Sequence, residues 1–151
     1  MIQSYLTGPV LLSSNSAPVS FTTDCVRTRS AYPCGGWLCH SEGNPLYKIT
    51  KGGNYRVTFN ANIASDTTGL VAFALFMDGV ELPGTRVMQN VTTAGVYQNV
   101  AFDKIVPICC CGSGSLTVQS VPSVLSTPAA TPTATNVPTI QNANLTITKI
   151  C

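Results

Sequence analysis

The amino-acid sequence predicts an all-β chain folded as an antiparallel β-sandwich. Turn residues recur at short intervals, at Gly8-Pro9, Gly35-Gly36, Asn44-Pro45, Gly52-Gly53, Asp78-Gly79, Pro83-Gly84 and Gly112. Short apolar runs lie between these turns, the pattern of a sandwich or barrel. No stretch repeats apolar residues at i, i+3, i+4 and i+7, so helices are not expected.

Strands are expected near residues 19–27, 37–40, 46–50, 55–64, 70–77, 80–82, 95–108, 115–120 and 144–150. The 55–64 strand carries the plainest signal. Tyr55, Val57, Phe59, Ala61 and Ile63 alternate with Arg56, Thr58, Asn60 and Asn62. A period of two sets one face on a core and the other in water. The next strand is apolar on both faces: Val71, Phe73, Leu75 and Met77 on one, Leu70, Ala72, Ala74 and Phe76 on the other. Both faces should be buried, one of them against another subunit. Asp78-Gly79 then supplies the positive-φ turn of a hairpin. In the 95–108 strand, Val96, Val100 and Phe102 share a face with Gln98. Leu145 and Ile147 open the inward face of the last strand.

Two regions differ in character. Residues 1–18 read as an N-terminal arm, with Tyr5, Leu6, Val10, Leu11 and Leu12 as apolar attachment residues, before a domain over 19–151. Residues 121–142 are rich in Pro, Thr, Ser and Ala, carry no charge and read as an extended loop inside that domain.

Composition narrows the function. The chain has 151 residues, enough for one domain with a proper core. Charged residues are 9 % of it, against roughly a quarter in ordinary globular domains. A surface so poor in charge suits burial in an oligomer or lattice. The net charge is +2 and the basic residues are scattered, so no stripe could track a phosphate backbone. The longest apolar run, Leu70 to Met77, is too short to span a bilayer. The N-terminal residues lack the basic start of a signal peptide. Neither nucleic acid nor membrane is an expected partner.

Candidate chemistry is thin. The seven cysteines are Cys25, Cys34, Cys39, Cys109, Cys110, Cys111 and Cys151, so at least one lacks an intrachain disulfide partner. They can be buried thiols, disulfides such as Cys34–Cys39, or zinc ligands in which Cys34, Cys39 and His40 join one of Cys109–Cys111. The spacing is not that of a zinc ribbon, and no metal or other cofactor is expected. His40 is the only histidine, with Asp24 and Glu42 near it in sequence. Any Ser-His-Asp or Cys-His site would have to be built around it. Trp37 beside Gly-Gly is either a sugar-stacking platform or a buried core residue. No catalytic constellation emerges, and the expectation is a protein that is not an enzyme.

Four segments in order carry a family resemblance: GGNYRVTFNANI, LVAFALFMDGVELPGT, Ala-Phe-Asp-Lys-Ile-Val and NANLTITKI. Together they resemble the trimeric jelly roll of tumour-necrosis-factor-like and complement-like globular heads. The nearest variety is bacterial and phage, similar to exosporium glycoprotein heads and to phage capsid decoration or head-fibre proteins. The resemblance spans residues 45–150. It implies a homotrimer of two-sheet jelly rolls with an apolar face on the threefold axis, which Ala72, Ala74 and Phe76 suit. The function it implies is structural: a trimer displayed on a virion surface, bound to a capsid or other particle-surface protein. A spore-surface head is one alternative. A receptor- or carbohydrate-binding tip facing a host glycan is another.

Overall fold

The computed structural model describes residues 1–14, 16–27, 36–109, 112–122 and 137–150. Eleven strands are formed among them: β1 Ile2–Leu11, β2 Thr23–Arg27, β3 Leu38–Cys39, β4 Tyr47–Ile49, β5 Gly53–Ser65, β6 Gly69–Met77, β7 Val80–Glu81, β8 Val87–Val91, β9 Gln98–Ile108, β10 Gly114–Val121 and β11 Pro138–Lys149. They make two antiparallel sheets. One has five strands in the order β2-β1-β11-β5-β9. The other runs β3-β4-β10-β6-β7, with β8 also paired to β6. After β2 the chain passes repeatedly from one sheet to the other, so most connections span the sandwich. Among the described residues no helix is long and apolar enough to cross a membrane.

The core lies between the sheets. On β5, Tyr55, Val57, Phe59, Ala61 and Ile63 are buried, as the alternation predicts. Phe59 sits at the centre, with ring centroids 5.2 Å from Phe102, 5.9 Å from Phe73 and 6.5 Å from Phe21. These offset and edge contacts add to the area the rings bury. Asp78 takes φ 51° and Gly79 φ 81° in the hairpin, both in the left-handed region that Asp-Gly turns require.

The expected arm is instead β1, an interior strand of the five-stranded sheet between β2 and β11. Ile2, Ser4 and Leu6 point inward and are buried, while Gln3 and Tyr5 on the other face are half-buried. This is a two-residue period, interrupted at Gly8 (φ 94°) where the ladder to β11 shifts register between Thr7 and Val10. The sandwich therefore begins at Ile2, not near residue 19. The expected strand over 19–27 is also shorter at its start. Val19 donates its N–H to the Val118 carbonyl at 2.8 Å, in the opposite sheet, before the chain crosses to β2. The last strand starts at Pro138, inside the expected 121–142 loop; residues 123–136 lie outside the described part. β8 was not expected: only Val91 of its five residues is fully buried.

Candidate functional site

Two regions carry polar groups in an organised arrangement. The first surrounds His40, where the ends of both sheets meet. Ser4 on β1 and Asp24 on β2 are ladder partners, and both point inward. The Ser4 hydroxyl donates to Asp24 Oδ1. His40 Nδ1 lies 3.1 Å from Asp24 Oδ2, and Nε2 lies 2.8 Å from the Asn44 carbonyl oxygen. The imidazole stacks on Tyr47, centroids 3.8 Å apart and 3° from parallel. Glu42 accepts the Asp24 N–H at 3.0 Å. The fold thus gathers His40 with both acidic residues near it in sequence.

The grouping is not a hydrolytic triad. The serine bonds the aspartate rather than the imidazole, so His40 cannot take its proton. The His40 and Asp24 side chains are 0 % and 1 % exposed, which leaves no room for a substrate. The ring nitrogens of His40 face Asp24 and Asn44, and Cys34, Cys110 and Cys111 of the zinc set considered above fall outside the described residues. Among the described residues no three metal-ligating side chains cluster. Cys39 is half-buried on β3, whereas Cys25 and Cys109 are exposed free thiols. Cys34, Cys110, Cys111 and Cys151 lie outside the described residues. Trp37 is a core residue, 6 % exposed and 5.2 Å from the Tyr55 ring, and is not a sugar platform.

The second region is the outer face of the five-stranded sheet. Register places its side chains in rows across four strands. One row is Thr7, Asn142, Asn62 and Asn99; the next is Tyr5, Asn144, Asn60 and Ala101; a third is Gln3, Thr146, Thr58 and Asp103. The Asn99 amide nitrogen lies 3.0 Å from Asn60 Oδ1 and 3.1 Å from Asn62 Oδ1. Open grooves run along the rows, one beside Ala101 and Thr58, the other beside Tyr5 and Asn142. Asp103 is the one charge in these rows, and the Arg56 guanidinium bonds it. That hydrogen bond holds the Asp103 carboxyl below its usual range and raises Arg56. Four strands and a strict two-residue period build this face. Its asparagines were visible in sequence, but their alignment depended on a register no single strand encodes.

The residues expected at a subunit contact lie on the other sheet. Ala72 and Ala74 are 1 % and 0 % exposed within the single chain, in a small cluster with Val121 and the half-buried Phe76. The second apolar face of β6 is therefore largely closed without a partner. Of the expected attachment residues, Leu6 and Leu12 are buried in the core and Tyr5 is half-buried. Val10 and Leu11 are exposed.

No protein-family model matches the chain, and no curated protein does. Solved structures do match. The globular domain of zebrafish complement 1qA protein is similar with a TM-score of 0.60 at 10 % identity, over 99 % of this chain and 96 % of that one. The Eiger TNF of S. frugiperda gives 0.61 at 10 % identity, over 99 % and 92 %. Murine APRIL at pH 5.0 gives 0.52 at 12 % identity, over 95 % and 96 %. At such identities the likeness concerns the fold, and the fold is the jelly-roll sandwich of the complement 1q and tumour-necrosis-factor type.

Proposed function

We propose that this chain is a non-enzymatic structural protein that acts as a homotrimer displayed on a particle surface, as a phage capsid decoration or head-fibre protein. The observation that carries the reading is the outer face of the five-stranded sheet. Most of its side chains are short and uncharged and stand in rows, with Asp103 paired to Arg56. Taking such a face out of water costs far less than burying scattered ions, and its amides can pair across a contact. We place the contact between copies there, centred on Ala101 and Asn60. This differs from the contact at Ala72, Ala74 and Phe76, since two of those three side chains are already buried. The low charge content fits a chain that covers much of its surface in an assembly.

On this reading the exposed pair Val10 and Leu11 contributes to attachment on the particle. Light scattering on the purified protein at micromolar concentration should give three times the chain mass; a monomer mass overturns the trimer. Sedimentation with undecorated capsids tests the particle. Protein left in the supernatant at every ratio removes the virion role while leaving the trimer intact.

A further inference from the structure

The outer face of the five-stranded sheet differs from one side to the other. In its middle row Tyr5 stands on β1 and Ala101 on β9, with Asn144 and Asn60 between them. Tyr5 is the one aromatic side chain in the three rows, and Ala101 is the smallest side chain in them. The groove beside Tyr5 holds about 310 Å³ and the one beside Ala101 about 600 Å³; Asn60 and Asn144 line both and divide them. Asn99 braces that division, since its amide nitrogen binds the Asn60 and Asn62 oxygens. What Asn60 presents to the groove is then its NH2 donor. The face is bulky on the β1 side and recessed on the β9 side.

We propose that Tyr5 of one copy seats in the groove over Ala101 of the next, and that this contact, repeated about a threefold axis, closes the trimer. The inference rests on the outer face being the contact between copies, and it says which side chain enters which groove. Register supplies the closure. Rotation about an axis along the strands leaves every residue at its own height, so a side chain meets a neighbouring copy only in its own row. A knob and a socket in different rows would add a rise at each step and build a filament. Tyr5 and Ala101 share a row. Within one chain three strand spacings, about 14 Å, keep them apart. The chemistry of the groove suits a phenol: Ala101 underlies the ring, and Asn60, Asp103 and Thr58 offer partners to the hydroxyl. No like charges meet, because Gln3, Tyr5 and Thr7 on β1 are uncharged and Arg56 bonds Asp103. From Asn54 to Asn62 the four strands span about 19 Å by about 27 Å, the same order as the roughly 800 Å² that each partner gives to a stable contact.

A charge swap tests the pairing. Tyr5→Lys alone and Ala101→Glu alone each put an unpaired charge into the contact. Each should raise the concentration at which the trimer dissociates by at least about tenfold in sedimentation velocity. With both in one chain, the new lysine of one copy meets the new glutamate of the next, and most of the lost affinity should return. Tyr5→Lys with Ile105→Glu, two rows further along β9 at a residue 56 % exposed, should recover nothing. Single variants that stay as trimeric as the unaltered chain, a double variant no better than the singles, or equal recovery through Ile105→Glu overturn the proposal and leave the trimer standing. A monomeric unaltered chain removes the trimer and the proposal with it. Should Tyr5→Lys fail to fold, nitration of the native Tyr5, followed by peptide mapping, decides. Tyr5 should react severalfold more slowly in the unaltered trimer than in folded, monomeric Ala101→Glu, and equal rates overturn the proposal.

Discussion

Thr85 completes the β7–β8 edge of β6 at Leu75, whose ladder partner on the other edge is Val118 of β10. The Leu75 N–H donates to Thr85 Oγ1 at 3.1 Å, and that hydroxyl in turn donates to the Leu82 carbonyl at 2.8 Å. On one side β8 pairs with β6 only as far as Phe73; on the other, β7 begins at Phe76. The threonine is 0 % exposed and stands in for the missing backbone at that point. Thr85→Val keeps the volume and removes both bonds. It should destabilise the chain by about 1–3 kcal/mol, because a buried N–H and a carbonyl lose their partners. Urea unfolding reads this directly, and an unchanged midpoint would show that the hydroxyl contributes nothing.

Much of the sandwich was legible because its strands obey a two-residue period. The β5 pattern fixed its own inward face, and Asp78-Gly79 marked the β6–β7 turn. β1 was hidden because Ser4, polar yet buried, breaks the apolar alternation of Ile2 and Leu6. Its burial makes sense only with Asp24 beside it, a contact 20 residues away. β8 was hidden for the opposite reason, since an edge strand with one buried side chain has almost no periodicity to see. Of the asparagine face, the sequence showed only the solvent side of β5 with Asn60 and Asn62, not the rows across strands. Those rows depend on the relative register of β1, β11, β5 and β9, which ladder hydrogen bonds and core packing set together.

The pair Glu81–Arg86 should give a small acid dependence of stability. Hydrogen bonding to Arg86 holds the Glu81 carboxyl below its ordinary value near 4.5. A depressed folded value means the contribution is present above pH 4.5 and is lost as pH falls through the folded value. Both side chains are partly exposed, so the pair is worth under about 1 kcal/mol. Glu81→Gln should match the unaltered chain at the acid end of a pH series and fall slightly below it at neutral pH. A difference that grows toward acid would reverse the assignment.

Two substitutions distinguish a subunit contact from a core position. Ala101→Arg adds a charged side chain to the exposed centre of the asparagine face. It should leave the fold intact and give a monomer mass in light scattering, since the contact would have to bury an unpaired charge. Ala74→Arg acts on a residue that is 0 % exposed in the single chain. It should lower the melting temperature of each chain whatever the oligomeric state. A folded, trimeric Ala101→Arg protein would move the contact off this face.

Deletion of Met1–Leu12 should abolish folding rather than detach a folded head. β1 pairs with β11 on one side and β2 on the other, so its loss opens the middle of the five-stranded sheet. Ile2, Leu6 and Leu12 leave the core with it, at roughly 2–5 kcal/mol for each large side chain removed. The sum reaches the whole stability of a typical domain, about 5–15 kcal/mol. Attachment therefore has to be tested at the exposed positions alone. Val10→Asp with Leu11→Asp alters side chains that are 39 % and 63 % exposed, which the core does not need. That double variant should melt within a few degrees of the unaltered chain and lose sedimentation with undecorated capsids. If the deletion gives a folded trimer by circular dichroism and light scattering, β1 is not a structural strand of the sandwich. If the double variant sediments at full occupancy, Val10 and Leu11 have no part in attachment, and the contact with the particle lies elsewhere on the sandwich.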